Sequence, residues 1–354
     1  MDQRYKLTYA KGDGIGQEVV DSSIQILRRA IERDGLETMF NLEEVKVGWE
    51  SVNAYNDPLT AATLAAIERS DALILGPLEV GKYPGESGKR SPSGAIRKHF
   101  DLYANIRPVK SYSKSNQKPI DVVVVRENTE GFYADRNMVK GSGEFMPTPD
   151  IALSVRVVTR EKCAKISAAG MEMAMTRRKK VTAVHKGNVL KMGEGLFLEE
   201  FYKRAASYPE VQAEDRLIDS TAYDLIINPG SFDVIVTTNM YGDILSDEAA
   251  AIAGSLGIAP AINYGDNWAM AQAAHGTAPA LAGKGLANPI SEILSVSMLM
   301  EWLGRKHSDD APAGIGRRIK AAVESCMKTP ELLTQDLGGN GTLSSVTKMI
   351  IDRI

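Results

Sequence analysis

Short runs of apolar, often β-branched residues recur along the chain and constrain its fold more than any other feature. Three of these runs, at residues 72–75, 122–125 and 234–237, contain no charged residue, and each leads into a turn or a polar segment. Continuous apolar runs of this length are typical of parallel strands that are buried on both faces of a sheet. Segments with helical character, at about 17–33, 60–70 and 161–175, alternate with such runs, and a further strand is expected at 44–47. The sequence therefore predicts an α/β fold with a largely parallel sheet.

Length and composition exclude several classes of protein. A chain of 354 residues is long enough for about two domains, and its 44% hydrophobic and 25% charged residues are ordinary for a globular protein. The net charge of −3 offers no general attraction for nucleic acid. Only two cysteines are present, which favours a reducing compartment, and no apolar run approaches the length of a membrane span. We therefore expect a cytoplasmic location.

A pair of aspartates follows the apolar run at 232–238. The residues from Asn239 to Asp247 predict that a strand ends, turns at Gly242 and enters a helix. Asp243 and Asp247 are four residues apart, so a helix would carry both on one face. Two carboxylates this close repel each other unless a cation lies between them, and oxygen ligands suit Mg²⁺ or Mn²⁺. The alternative is a solvated helix face with aspartates near its positive end.

Arginine and lysine residues occur at the ends of predicted elements. Arg97, Arg107 and Arg126 fall within thirty positions, and arginine binds carboxylates through two parallel hydrogen bonds. They could clamp a substrate with more than one carboxylate, or they could be surface arginines without a function. Lys186 follows another apolar run and is a candidate base or anion ligand, unless it is an ordinary surface lysine. Asp219 supplies a further carboxylate.

A glycine-rich loop lies near the N-terminus. The segment at 11–16 joins a short strand candidate to a long helix, as in loops that bind phosphate at a helix N-terminus. Its spacing matches neither the dinucleotide fingerprint nor the P-loop. A plain tight turn explains the glycines equally well.

Several of these motifs occur together in a recognisable order. They are 12–16, Arg97, 105–108, 126–131, 185–188, 239–247 and 275–279. The ordered set resembles the β-decarboxylating (R)-2-hydroxyacid dehydrogenases, a family that includes isocitrate, homoisocitrate, isopropylmalate and tartrate dehydrogenases. The resemblance extends from Gly12 to about Gly339.

The resemblance implies a particular fold and assembly. The expected fold is the isocitrate/isopropylmalate dehydrogenase-like fold, in which two α/β domains share a largely parallel sheet, and it is not a Rossmann fold. Residues 1–100 and 253–354 would form a large cofactor-binding domain. Residues 101–252 would form a central substrate and dimerisation domain, with a projecting arm at about 134–160. The implied assembly is a homodimer whose active sites are shared between subunits.

The resemblance also assigns roles to individual residues. The implied catalytic residues are Tyr133, Lys186 and Asp219. The implied substrate-binding residues are Ser91, Ser93, Arg97, Arg107 and Arg126. The implied cofactor-binding residues are Gly14, Ile15, His275, Gly276, Thr277, Ala278 and Asn288. The implied metal ligands are Asp219 from the partner subunit with Asp243 and Asp247, and Lys186 would also reach across from the partner subunit.

The cofactor and substrate follow from departures within these motifs. Ala280 and Leu281 offer no cation for the 2′-phosphate of NADP, which favours NAD, although Gln272 stands where many family members have glutamate. The stretch at 90–96 contains Ser91 and Ser93, whose polarity favours a carboxylate-bearing or hydroxylated substituent over the alkyl group of isopropylmalate.

The resemblance therefore implies metal-dependent oxidative decarboxylation of a 3-substituted (R)-malate with NAD(P), most like isocitrate or homoisocitrate. The alternatives are an isopropylmalate or a tartrate/D-malate dehydrogenase of the same family. Alternatives from other classes are a catalytically silent regulatory subunit and a Mg-nucleotide phosphotransferase. No nucleic-acid or membrane partner is expected.

Overall fold

The structure is a computed structural model that describes residues 4–84, 91–112, 119–132 and 143–354. The described strands are β1 (Tyr5–Ala10), β2 (Phe40–Glu44), β3 (Ala72–Leu75), β4 (Ala104–Lys110), β5 (Asp121–Glu127), β6 (Glu144–Thr148), β7 (Ile151–Ser154), β8 (Lys180–His185), β9 (Gln212–Leu217), β10 (Val234–Thr237), β11 (Ile262–Tyr264) and β12 (Ala269–Ala271). The described α-helices are α1 (Gly16–Arg33), α2 (Trp49–Tyr55), α3 (Ala61–Glu68), α4 (Pro92–His99), α5 (Arg160–Met175), α6 (Lys191–Ala205), α7 (Ile218–Ile227), α8 (Asn239–Ala253), α9 (Ile290–His307), α10 (Asp310–Cys326) and α11 (Leu343–Ile351).

The first of two compact units is assembled from both ends of the chain. It comprises Met1–Ile96, Gly254–Ile262 and Asn267–Ile354. Its strands pair in the order β2-β1-β3-β12, and every pair is parallel. Helix α1 packs against α9, α10 and α11. The four buried side chains of β3 explain the uninterrupted apolar run at 72–75, because parallel strands covered by helices are buried on both faces.

The second unit comprises Arg97–Ala253 and Asn263–Asp266. Its strands pair in the order β4-β5-β10-β8-β9. Strand β4 is antiparallel to β5, and the remaining pairs are parallel. Helix α8 packs on β4 and β5, and α5 packs on β5, β10 and α6. Strands β6 and β7 form a separate antiparallel hairpin within the predicted arm at 134–160.

These observations confirm the predicted fold class and correct two local expectations. The strand expected at 44–47 is wrong, because β2 covers Phe40–Glu44 and pairs with β1 from Tyr5 to Tyr9. The turn expected at Gly242 is also wrong, because α8 already begins at Asn239. The functional roles predicted for the two domains stay predictions. Within the described part of the chain, no helix combines the length and apolar character needed to cross a bilayer.

Candidate active site

The ends of parallel strands bring candidate residues together in the second unit. Strands β5 and β10 are parallel neighbours, so their carboxyl ends lie at the same edge of the sheet. Arg126 is the penultimate residue of β5, and α8 begins at Asn239, two residues after β10 ends. Arg107 comes from the antiparallel strand β4, in register with Val124 of β5. The topology therefore gathers two arginines at the first turns of α8.

Arg126 is held by the first turn of α8. Its Nε and Nη2 atoms donate to Oδ1 of Asn239 at 3.1 and 2.7 Å, and its Nη1 atom forms an ion pair with Asp243. Asn239 in turn donates through Nδ2 to the carbonyl oxygen of Glu130 at 3.0 Å. Arg126 is only 2% exposed, so these partners satisfy a guanidinium that is almost entirely removed from water.

Arg107 contacts the next turn of the same helix. Its Nη1 atom donates to Oγ of Ser246 at 2.7 Å and lies 3.2 Å from a carboxylate oxygen of Asp243 and 3.6 Å from one of Asp247. Burial and the neighbouring Arg126 cation together lower the pKa of Arg107 to about 10, although the two carboxylates act to raise it. Arg107 remains protonated at neutral pH, so the site holds two cations in a low-dielectric setting.

The close approach of Arg126 to α8 explains the glycine in this helix. A Cβ atom at Gly242 would lie 2.6 Å from Cγ and 2.7 Å from Cβ of Arg126. Any side chain at this position would therefore displace the arginine. Gly242 is therefore needed because it leaves space for the side chain of Arg126, and not because a turn needs its conformational freedom.

Asp243 and Asp247 lie one helical turn apart on α8, as the sequence predicted for a helix, and share Arg107 as a neighbour. Burial raises the pKa of Asp247, the Arg107 cation opposes this rise, and the Asp243 carboxylate adds to it. Both side chains keep a substantial exposed fraction, 39% and 56%. Two half-exposed carboxylates are a donor set that fits a hard divalent cation. Within the described residues, no third carboxylate, histidine or cysteine joins them to complete a metal site.

Lys186 and Asp219 form a pair of their own at the ends of β8 and β9. The Nζ atom of Lys186 donates to Oδ1 of Asp219 at 2.7 Å, and this hydrogen bond lowers the pKa of Asp219. The preceding His185 accepts from the backbone N–H of Gly187 through Nδ1 at 2.9 Å, and its Nε2 atom lies 3.0 Å from Asp215. His185 thereby fixes the turn that carries Lys186, a role that we did not predict from the sequence.

The remaining predicted substrate-binding residues, Ser91, Ser93 and Arg97, lie on α4 or directly before it. Arg97 donates through Nη1 to Oδ1 of Asn128 at 3.1 Å. Ser91 accepts from the backbone N–H of Gly94 at 3.2 Å, which stabilises the first turn of α4, and Ser93 is buried in that helix. Tyr133 lies outside the described residues, as does Arg90.

The glycine loop and the loop at 275–279 are joined by backbone contacts in the first unit. The N–H of Ile15 donates to the carbonyl oxygen of Thr277 at 2.9 Å. Gly14 has a φ of +58°, and a Cβ there would lie 2.1 Å from the same oxygen. The glycine is thus required both by its left-handed backbone and by the close approach of the second loop.

The other predicted cofactor residues lie on this second loop or close to it in the same unit. Asn288 accepts from the N–H of Ile290 at 3.0 Å and donates to Asp336 at 3.0 Å, which fixes the start of α9. Gly276 is exposed, and Ala278 has a φ of +36°. The Nε2 atom of His275 is buried and has no hydrogen-bond partner among the described residues. A buried polar atom beside an exposed loop fits a site that a ligand completes.

Two buried carboxylates in the first unit were not predicted from the sequence. Asp13 accepts from the backbone N–H groups of Trp49 and Glu79, both at 2.8 Å, and from the hydroxyl of Tyr83. Glu292, in the first turn of α9, accepts from the N–H of Ala273 at 2.9 Å. Burial raises the pKa of Glu292 to about 7. Both carboxylates support loops that carry the predicted cofactor residues.

Comparisons with known proteins agree with this architecture. A family model described as isocitrate/isopropylmalate dehydrogenase matches residues 6–354. The homoisocitrate dehydrogenase of Methanocaldococcus jannaschii is 39% identical over 99% of this chain and 97% of its own length. The 3-isopropylmalate dehydrogenase of Sulfurisphaera tokodaii is 37% identical, with 99% of each chain covered, and the isocitrate/homoisocitrate dehydrogenase of Thermus thermophilus is 36% identical, with 99% and 98% covered.

A solved structure gives the same result in three dimensions. The crystal structure of isocitrate dehydrogenase from Methylococcus capsulatus matches this chain with a TM-score of 0.86 and 34% identity, and 99% of each chain is covered. The family match, the similarity over whole chains and the shared fold all agree with the resemblance carried by the ordered motifs. The chain belongs to the isocitrate/isopropylmalate dehydrogenase family.

Proposed function

We propose that the protein catalyses the oxidative decarboxylation of a 3-substituted (R)-malate, with Mg²⁺ or Mn²⁺ and with transfer of hydride to NAD. The observation that carries this proposal is the cluster in which Arg107 and Arg126 meet Asp243 and Asp247. Guanidinium groups bind carboxylates, and paired aspartates bind a divalent cation, so one cluster supplies both needs of a malate substrate.

The three arginines would bind and orient the substrate carboxylates. Arg107 and Arg126 are buried, so their hydrogen bonds to an anion would be stronger than at a surface. Fixed partners hold both guanidiniums before the substrate arrives, which reduces the entropy lost on binding. Arg97 would supply the third cation.

The aspartates would hold the metal. A cation bound by Asp243 and Asp247, and by Asp219 of the partner subunit, would supply Lewis acidity at the 2-hydroxyl and its adjacent carboxylate. The partner subunit's Lys186 and the partner's Asp219 would help to remove the hydroxyl proton, and the hydrogen bond between them orients the lysine. Tyr133 would return a proton to carbon after the loss of CO₂.

The cofactor would bind at the loops of the first unit. Gly14, Ile15 and the loop at 275–278 would contact the adenosine side of the dinucleotide, with Asn288 fixing the start of α9. Ala280 and Leu281 supply no cation for a 2′-phosphate, which supports NAD over NADP. NAD supplies the hydride acceptor.

A homodimer with shared active sites is part of this proposal. Helices α7 and α8 contact each other and carry exposed apolar side chains at Tyr223, Ile226 and Ile244. The β6–β7 hairpin exposes Phe145 and Met146 in the same way. Apolar surfaces of this kind support association with a second copy.

The substrate substituent is the finest part of the proposal. Ser91 and Ser93 are polar, and a relative at 39% identity is a homoisocitrate dehydrogenase, so an isocitrate-like or homoisocitrate-like acid is favoured. The name of the 37% identical relative makes isopropylmalate the second candidate. Tartrate and D-malate are the remaining candidate substrates.

The test is a panel of turnover measurements. Formation of NADH or NADPH is followed with Mn²⁺ against isocitrate, homoisocitrate, isopropylmalate, tartrate and D-malate, with and without a chelator. Turnover of one acid that the chelator abolishes, with NAD preferred, is the expected result. No turnover of any acid by folded, dimeric protein would overturn the proposal and favour a silent regulatory subunit.

A further inference from the structure

A group of buried asparagines lies behind the arginines of the second unit. Asn105 is 1% exposed, and Asn128 and Asn263 are completely buried. Asn263 belongs to β11, which the chain reaches 158 residues after Asn105 and 135 residues after Asn128. A buried amide must find hydrogen-bond partners, because an unsatisfied one costs about 1–3 kcal/mol.

Asn263 joins the other two asparagines through a single atom. Its Oδ1 atom accepts from Nδ2 of Asn105 at 2.9 Å and from Nδ2 of Asn128 at 3.0 Å. Both donors belong to side-chain amides, so this acceptor helps to fix which way each amide is turned. Nδ2 of Asn128 also donates to the carbonyl oxygen of Leu102 at 3.1 Å, which favours the same orientation. Because both amide nitrogens point at Asn263, the Oδ1 atoms of Asn105 and Asn128 point away from it.

Each of those two oxygens accepts from an arginine of the proposed substrate clamp. Oδ1 of Asn105 accepts from Nε of Arg107 at 2.6 Å. Oδ1 of Asn128 accepts from Nη1 of Arg97 at 3.1 Å. Arg126 is held separately, through Asn239. Two of the three arginines are thus connected through one acceptor atom, and the third provides an internal comparison.

We propose that Asn263 is a positioning residue that fixes Arg97 and Arg107 relative to each other for binding the carboxylates of the substrate. The inference rests on the proposed function for the identity of the ligand, but the hydrogen-bonded connection exists without it. Asn263 does not touch the substrate. It orients two amides, the amides orient two guanidiniums, and the guanidiniums bind the acid.

Three variants separate this role from a general contribution to stability. Asn263→Leu keeps much of the volume but removes the acceptor, so both amides lose their common partner. Asn263→Asp keeps an acceptor oxygen for both amides. The control, Thr182→Val in β8 of the same unit, removes a part-buried hydrogen bond of 3.0 Å to Glu214 of β9 and leaves the asparagines unchanged.

The first readout is steady-state kinetics with the acid that the wild-type protein turns over. Asn263→Leu is expected to raise KM for the acid about tenfold, with kcat changed less than about threefold, because binding is lost in ground and transition states alike. KM for NAD should stay within about twofold. Asn263→Asp should restore most of the affinity, and Thr182→Val should change neither KM.

The second readout does not depend on catalysis. Phenylglyoxal modifies guanidinium groups, and peptide mass spectrometry gives the rate at each arginine. Asn263→Leu should accelerate modification of Arg97 and Arg107 about threefold or more and leave Arg126 unchanged, because guanidiniums whose amide partners are no longer fixed sample more exposed conformations. Thr182→Val should accelerate none of them.

The outcomes distinguish the two proposals. Wild-type protein that turns over no acid would defeat the proposed function, and the modification rates would then decide the role of Asn263 alone. Equal acceleration at all three arginines, or no acceleration in folded Asn263→Leu protein, would overturn the inference. The inference would also be overturned if Asn263→Leu lowered both kcat and thermal stability but left KM for the acid unchanged.

Discussion

The two units of this protein build their candidate sites from different material. In the second unit, the site consists of charged side chains that hold each other, with Arg107 and Arg126 on strands and Asp243 and Asp247 on α8. In the first unit, the candidate cofactor region consists of backbone, and Ile15 meets Thr277 through main-chain atoms. Each site also depends on a glycine. Gly242 leaves space for Arg126 beside α8, and Gly14 leaves space for the carbonyl oxygen of Thr277.

The two sites should therefore respond differently to mutation. A side-chain site fails when a charge or its partner is removed, because a buried ion left without a partner is strongly destabilising. A backbone site tolerates most side-chain changes and fails when a Cβ is added where two main chains meet.

Removing one carboxylate of the proposed metal pair should have the largest effect. Asp243→Asn is expected to lower kcat/KM for the acid about a thousandfold, because the variant loses a proposed metal ligand and the carboxylate partner of Arg126. Circular dichroism melting should show that the fold persists. The control is Asp310→Asn, which removes an exposed partner of Arg317 in the first unit and should leave turnover unchanged. Activity within tenfold of wild type in Asp243→Asn would contradict the metal assignment.

Filling the space beside Arg126 should have the next largest effect. Gly242→Ala places a methyl group 2.6 Å from Cγ of Arg126, so the arginine must move, and kcat/KM for the acid should fall about tenfold to a hundredfold. Gly195→Ala in α6 is the matched control, because a Cβ there meets nothing within 4 Å. It should be neutral or slightly stabilising, since alanine favours helix over glycine. Equal kinetics in both variants would refute this account of Gly242.

Adding a methyl group to the backbone site should impair the cofactor rather than the acid. Gly14→Ala would place Cβ 2.1 Å from the Thr277 oxygen and is expected to raise KM for NAD about tenfold with KM for the acid unchanged. Gly35→Ala is the control, because Gly35 has a φ of +66° but open space around it. Both variants should lose about 1 kcal/mol of stability through their left-handed backbone. An effect of Gly14→Ala on KM for the acid alone would reverse the assignment of the two sites.

Neutralising Glu292 should have the smallest effect on turnover, because the change should act on stability instead. Burial raises the pKa of this carboxyl to about 7 in the folded protein, above about 4.3 in the unfolded chain. The contribution of this carboxyl to stability is therefore fully present below about pH 4 and is lost as the pH rises through about 7. Glu292→Gln should therefore raise the free energy of unfolding by about 3–4 kcal/mol near pH 8 and change it little near pH 4, as measured by urea unfolding at both pH values. A gain of equal size at both pH values would exclude ionisation as the cause.

The sequence could predict residues whose position along an element already indicates a role. Arg126 follows an apolar run and Asp243 and Asp247 have helical spacing, so both signals are local. The start of α8 at Asn239 was mispredicted, because a glycine four residues into the motif indicated a turn until the position of Arg126 was known. The role of Asn263 carries no local signal, since nothing in the sequence marks a single asparagine within a strand of three residues.

Patterns along the chain were thus enough to indicate the α/β class, the order of the motifs and the chemical groups available for a site. These depend on neighbours along the chain, whose periodicity and charge can be read directly. Only the tertiary structure decided the partners of each group, such as Asn263 for Asn105 and Asn128, or Asp13 for the N–H of Trp49. The physical reason is that burial removes water as an alternative partner, so each buried polar atom must bond to whatever the fold brings within reach.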